Sequence, residues 1–473
     1  MKYFSVALLV ILSNVLYTSG LNIPRTAEEF RLKHPLPKRT IPCRASFTPK
    51  SSVNDTDDVS DHFLDAVMRA NNGGAVYLPA GQTFVIGKPL DLTFLHDIHI
   101  RLEGTIKFTD DVEFWQANAH QHPFQRSLMF WKWGGKDVWI HGEGVIDGQG
   151  QRWWNEFSGQ EILDPDNEYL RPILFYAEGI ENLIVEGILM KDSPVWHNFI
   201  VNSADTDTSS AKYITYRDVI IEAKSNNSTV EPKNGDFFNS LNVEHIRIER
   251  VWVDSDDDCF SPKSNNTDIH VNTMYCNNSH GQSLGSLGQY EGEYVLVKDV
   301  VIENVWMLNG NNGARIKVWA GENVATGFVE NVTFRNFWSE NDDWPIFLDS
   351  CYFNVDSETC NRFPSKMKVS NVLFENFRGI SSGSKGRAVA RVSCSTNEEG
   401  RCRDIKFKGF DVQSPCGGEA VVICDGVDGG LGTPCVPFES EEAQSALKEV
   451  CNRGKATIDP PWDVRDYGQR GIM

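Results

Sequence analysis

The chain has 473 residues, and 45 Lys and Arg stand against 65 Asp and Glu, a formal charge of −20 at neutral pH. Hydrophobic residues make up 40% and charged residues 23%, so the chain is globular rather than disordered. The acidic balance argues against a nucleic acid or an anionic membrane as its partner.

Met1–Gly20 carries one charge, Lys2, then an apolar run over Val6–Leu12, then the small residues Thr18, Ser19 and Gly20. That is the pattern of a cleaved signal peptide. A membrane anchor is the rival, but the run is short and no later stretch approaches the roughly 20 apolar residues a span needs. Eleven cysteines, eight of them after residue 350, suit an oxidising compartment. The odd count leaves at least one thiol unpaired within the chain, and the absence of CxxC spacing favours disulfides over metal binding. Sequons at Asn54, Asn226, Asn227, Asn265, Asn277 and Asn331 are candidate glycosylation sites and agree with a secreted, extracellular protein.

Residues 21–50 are polar and Pro-containing and read as a surface leader. Ser60–Ala70 is predicted helical, with Phe63, Leu64, Val67 and Met68 on one face and Asn71-Asn72-Gly73-Gly74 as the stop. From about residue 98 the period changes to short β stretches. Ile98–Leu102, Val138–Ile140, Leu183–Val185, Ile214–Tyr216, Ile246–Ile248, Ile269–Val271, Val295–Val297, Val329–Val332, Val369–Val372 and Ile405–Phe407 form the series. Several are followed by a partner, such as Val219–Ile221, Val251–Val253 and Val300–Ile302, giving a unit of strand, tight turn, strand and variable loop.

Later units recur every 23 to about 40 residues, the signature of a solenoid. No long helices intervene, which argues against a doubly wound fold. A sandwich would not keep one motif register along the chain. The expected fold is all-β, a right-handed parallel β-helix over residues 51–455, with the short helix capping its N-terminal end. A Cys-rich segment closes the other end, and 456–473 forms a tail. Trp133, Trp153, Trp154, Trp252, Trp306 and Trp319 read mostly as packing between rungs, with stacking on a sugar as the rival.

The chemistry concentrates between residues 234 and 317. Asn234-Gly235-Asp236, Asp256-Asp257-Asp258-Cys259, Ser279-His280-Gly281 and Arg315-Ile316-Lys317 occur in that order. Asp236, Asp258 and His280 are each 22 residues apart, about one rung, so they stack on one face. Taken singly, the Asp run could be a solvated turn or a calcium loop, His280 an ordinary polar residue, and Arg315 and Lys317 a surface pair. Together and in register they form a site. Crowded carboxylates should raise at least one pKa. A protonated carboxyl beside an ionised one is what hydrolysis of a glycosidic bond needs. Inverting enzymes hold the two roughly 6.5–9.5 Å apart. Arg and Lys suit a sugar carboxylate.

These residues, with Gly74–Gly81, Gly144–Gly150 and Ser193–Asn198 upstream, resemble the polygalacturonase family of inverting glycoside hydrolases over roughly residues 55–425. The resemblance implies hydrolysis of α-1,4-linked galacturonic acid in pectin or homogalacturonan, without a metal or other cofactor, by a monomer. It makes Asp257 the general acid, Asp236 and Asp258 the carboxylates that activate water, and His280 the holder of the acid's protonation state. Arg315, Lys317, Tyr352 and Asn234 would bind substrate, and Cys259 and Cys276 would pair. Gly235 stands where the family usually has Thr, and Ser279 where it usually has Gly.

The runs His280–Tyr290 and Arg315–Gly321 are similar to the exo-acting fungal branch, where Lys263 would bind a second uronate. Loops at 155–170 and 224–233 could close the groove. The rivals are an endo-acting enzyme, a rhamnogalacturonan or xylogalacturonan hydrolase, a calcium-dependent lyase, and a catalytically silent pectin-binding β-helix.

Overall fold

The computed structural model describes residues 23–37, 44–162, 167–202, 211–352, 357–395 and 400–451. The expected signal peptide, Cys43 and the 456–473 tail lie outside the described residues.

The chain winds as a parallel β-helix. One face is an eleven-stranded parallel sheet running from Leu90–Leu92 to Val421–Asp425, and a seventeen-stranded sheet forms the remaining wall. Each turn lays its strand beside the previous one in a fixed register. The column Ile214, Ile246, Ile269, Val300, Val332, Val372, Ile405 shows why: every rung offers one aliphatic side chain at the same inward position. All seven are at most 1% exposed. Each buried side chain of this size contributes about 1.5–3 kcal/mol of hydrophobic stabilisation, so the column alone specifies the stacking.

The paired strands expected from the sequence are single bent strands. Ala211–Glu222, Val243–Asp254 and Tyr294–Leu308 each run through the expected turn. The chain turns there through a left-handed residue: Asp218 at φ 55°, Arg250 at 50° and Asp299 at 58°. Asn and Asp tolerate that conformation better than most side chains. Their amides then ladder along the axis, Asn376 donating to Asn336 at 2.8 Å, Asn336 to Asn304 at 2.9 Å and Asn304 to Asn272 at 3.0 Å.

The helix Ser60–Ala70 lies over the N-terminal end of the tube. It buries Phe63, Ala66, Val67 and Ala70, a narrow stripe at i, i+3, i+4 and i+7. Met68, expected on the inner face, falls outside that stripe and is 61% exposed. At the other end a second helix, Glu441–Lys448, packs Ala443 and Ala446 against Trp344, Ala388, Val421 and Ile423. Disulfides join Cys351–Cys360, Cys394–Cys402, Cys416–Cys451 and Cys424–Cys435, and Cys259 pairs with Cys276.

Part of the expected leader is a strap. The helix Ala27–Lys33 inserts Phe30 into an outer aromatic row formed by Trp252, Tyr275, Trp306 and Trp338. Arg25 forms a two-pronged ion pair with Glu340 at 2.7 and 2.9 Å, and Arg31 donates to the carbonyls of Gly187 and Asp218.

Candidate active site

The eleven-stranded face carries the site. Phe237 N donates to Asp258 O and His280 N to Asp257 O, both at 3.0 Å, so the three motifs sit on neighbouring rungs. Two rungs on from Asp258 comes Arg315–Lys317, through the strand Gly281–Leu287. A cavity of about 400 Å³ is lined by Asn234, Asp236, Asp256, Asp257, Asp258, Lys263, His280, Arg315, Lys317 and Tyr352. The structure thus brings together every residue the sequence nominated for catalysis and substrate binding.

One oxygen from each of Asp236, Asp257 and Asp258 lies within 4.8 Å of the others. That closest-oxygen spacing is tighter than the roughly 6.5–9.5 Å separation of inverting enzymes. Cations interleave the acids. Lys317 Nζ sits 2.5 Å from Asp258 Oδ2, and Ser283 and Ser261 hydroxyls donate to the same carboxylate at 2.5 and 3.1 Å. His280 Nδ1 is 3.1 Å from Asp257 Oδ1, and Asn234 Nδ2 donates to Asp257 Oδ2 at 3.3 Å. Lys263 is buried in the cavity floor, donating to Ser261 Oγ at 2.6 Å and Gly285 O at 3.0 Å, with Asp236 Oδ2 at 4.0 Å.

Arg171 was not singled out in the sequence. It is buried and lies 3.5 Å over the Phe157 ring. Its guanidinium donates to Asn234 Oδ1, Pro194 O and Lys233 O at 2.6–2.9 Å, fixing the loop that carries Asn234 and Asp236. Gly235, the departure from the family pattern, brings its N–H 3.4 Å from Asp256 Oδ1. A Cβ there would meet that oxygen at 3.4 Å and Pro232 O at 3.3 Å, so glycine leaves Asp256 room against the backbone.

Burial raises the Asp257 carboxyl, but the His280 imidazolium and Lys317 outweigh it and hold Asp257 below the usual carboxylate range. Burial lowers His280, yet Asp257 pushes it up to about 9. The two shifts share one cause, the attraction between the Asp257 carboxylate and the His280 imidazolium. Burial and the Asp257 charge push Asp236 well above the normal range and Asp256 up to about 7. Burial lowers Lys263 to about 8 despite Asp236 beside it. Burial also opposes the Lys317 charge, but Asp258 prevails and raises it.

These shifts predict a stability profile. A raised Asp256 binds more protons in the folded state, so its contribution falls as pH rises from about 4 to about 7. The raised His280 stabilises fully below 6.5 and loses that contribution as pH climbs through about 9. The thermal midpoint should be higher at pH 5 than at pH 8.5. Asp256→Asn should flatten the slope between pH 4.5 and 7.5; an unchanged slope would remove Asp256 from the account.

The glycosyl hydrolases family 28 model matches residues 75–435. The chain belongs to glycosyl hydrolase family 28. It is 51% identical over 396 residues to a protein of Emericella nidulans named probable exopolygalacturonase B, covering 84% of this chain and 88% of that one. It is 49% identical to the protein of the same name from Aspergillus terreus, covering 83% and 88%. Among solved structures, an endo-xylogalacturonan hydrolase from Aspergillus tubingensis is 28% identical with a TM-score of 0.70, covering 83% of this chain and 99% of that one. The family's β-helix is the fold described above.

Three sequons sit in the axial ladders: the Asn265, Asn277 and Asn331 amides donate to Asn242, Asp254 and Asp299. Asn331 is exposed, as are Asn54, Asn226 and Asn227.

Proposed function

We infer that this chain is an exo-acting hydrolase that removes galacturonic acid from the non-reducing end of polygalacturonan by a single displacement. The observation that carries the reading is the interleaved cluster of three buried carboxyls, one imidazolium and two lysines beneath Arg315, in a chain about half identical to proteins named exopolygalacturonase.

Asp257 donates the proton to the leaving oxygen, and His280, 3.1 Å away, supplies that proton to Asp257 as substrate displaces water. Asp258, paired with Lys317, receives the proton of the attacking water, and Asp236 beside it orients that water. Arg315 binds the uronate carboxylate; no described carboxylate forms an ion pair with it, and its ring neighbours are Phe347 and Tyr352. Lys317 is committed to Asp258, so its part in binding is to shape the floor. Asn234 orients Asp257, and Lys263 sets the charge beside Asp236 and faces Trp196 at 5.3 Å.

Exo action has structural support in two bridges around the cavity. Lys233 Nζ donates to Gln160 O at 2.8 Å, joining the 155–170 and 224–233 loops. Gln125 contacts both Gln289 and the Tyr290 hydroxyl. The first bridge stands on the side of the earlier rungs, and the second crosses from there to the loop after the strand Gly281–Leu287, so the rungs from Arg315 onward are left for the polymer. Secretion, a monomeric state and glycans at Asn54, Asn226 and Asn227 complete the proposal, and five disulfides favour an oxidising compartment.

Product analysis tests the reading. Purified protein on de-esterified polygalacturonic acid with chelator should release monogalacturonate alone, with slow loss of viscosity. A ladder of saturated oligomers would overturn exo action. Unsaturated products would mean elimination and overturn the hydrolytic mechanism. Turnover of xylogalacturonan in preference would reassign the substrate.

A further inference from the structure

The sheet face that carries Arg315 and Lys317 continues beyond them. Strand register places Arg315 beside Phe347 and Phe347 beside Arg391, one column on one face. At about 4.8 Å per rung, Arg391 stands roughly 10 Å from Arg315 along the axis. The two arginines share unusual traits. Each has a buried Nε with no hydrogen-bond partner, and neither forms an ion pair with a described carboxylate. Each also lies over an aromatic ring: Arg315 at 5.7 Å from Phe347, Arg391 at 4.2 Å from Phe438. Phe347 and Arg391 are both half-buried, so part of each is open to solvent.

A buried donor without a partner costs free energy that a ligand's acceptor can return. Asp349, Asp425 and Glu439 stand near Arg391 and favour its charge without pairing with it. Asp349 is itself turned to the backbone N–H of Cys351 at 2.9 Å. The arrangement is a guanidinium held by a ring, with a second ring one rung away that can take the face of a sugar.

We propose that Arg391 and Phe347 form a further uronate-binding subsite, two rungs beyond Arg315 on the leaving-group side. This rests on the exo-hydrolase reading. With the Lys233–Gln160 bridge on the earlier rungs, the terminal galacturonate sits against it and the rest of the chain leaves over the rungs from Arg315 onward. The polymer's second or third carboxylate from the cleavage point then meets Arg391, and Phe347 packs against the ring between.

The test is chain-length dependence. Wild-type protein should show a higher kcat/KM on tetragalacturonate than on digalacturonate. In Arg391→Gln that ratio should fall about ten-fold, mainly through KM. Arg391→Lys should restore part of the preference, and added salt should erode it in wild type more than in the Gln variant. An equal loss on both substrates with a lowered thermal midpoint would assign Arg391 to offsetting Asp349 and Asp425 and overturn the subsite. An unchanged ratio in folded Arg391→Gln and Phe347→Ala proteins would overturn it too. If wild type releases no galacturonate from either substrate, the exo-hydrolase reading fails instead.

Discussion

Asp257→Asn should lower kcat on polygalacturonate by about 10²–10⁴-fold and leave KM within a small factor. The substitution keeps the side chain's volume and removes only its ability to pass on a proton. Two further readouts separate acid catalysis from disturbance of the site. His280 is pushed up to about 9 chiefly by Asp257, against burial, so its titration should fall toward or below 6.5 in the variant. An aryl galacturonide, whose leaving group needs no proton, should be much less impaired than the polymer. Equal impairment of both substrates would reject Asp257 as the acid.

Lys317→Met should destabilise the fold by about 3–5 kcal/mol, the usual cost of leaving a buried ion without its partner. Asp258 is 1% and Lys317 4% exposed. Without the ammonium, only the Ser261 and Ser283 hydroxyls remain on that carboxylate. Activity should disappear with it, because Asp258 would lose the ammonium that holds its carboxylate in place beside Asp236 and Asp257. The double variant Lys317→Met/Asp258→Asn should recover most of the stability and none of the activity. Denaturant unfolding measures the first and product release the second. A single-variant cost below about 1 kcal/mol would place this pair with exposed ion pairs.

The rungs were legible because each repeats an aliphatic triplet at the same offset, and Ile246 and Ile269 occupy the column that their sequence spacing implies. The site was legible because an interval of 22 residues is close to one turn: Asp236 stacks on Asp258 as expected, while the next turn is one residue longer, so His280 lies beside Asp257 rather than Asp258. The bends were misread as breaks. A left-handed Asp218 or Asp299 turns the strand while its pairing continues on both sides, and no local signal separates that from a two-residue turn.

Arg171 escaped for a different reason. Its acceptors belong to Pro194, Lys233 and Asn234, which become neighbours only once the coil is wound. The helix Ala27–Lys33 was equally invisible, since its one buried side chain, Phe30, needs an aromatic row assembled from four later rungs. The opposed shifts of Asp257 and His280 also depend on a contact between them that composition cannot show.

That strap sets an order of events. The Arg25–Glu340 pair joins residues 315 positions apart, so a segment made among the first waits for a partner made much later. Rungs can settle one on another as the chain lengthens, each needing only its predecessor. The Arg25 end of the strap cannot be fastened until the rung of Trp338 and Glu340 exists. It is a clasp drawn across finished turns, and the Trp338 end of the aromatic row beneath it stays bare to solvent until the winding reaches that rung.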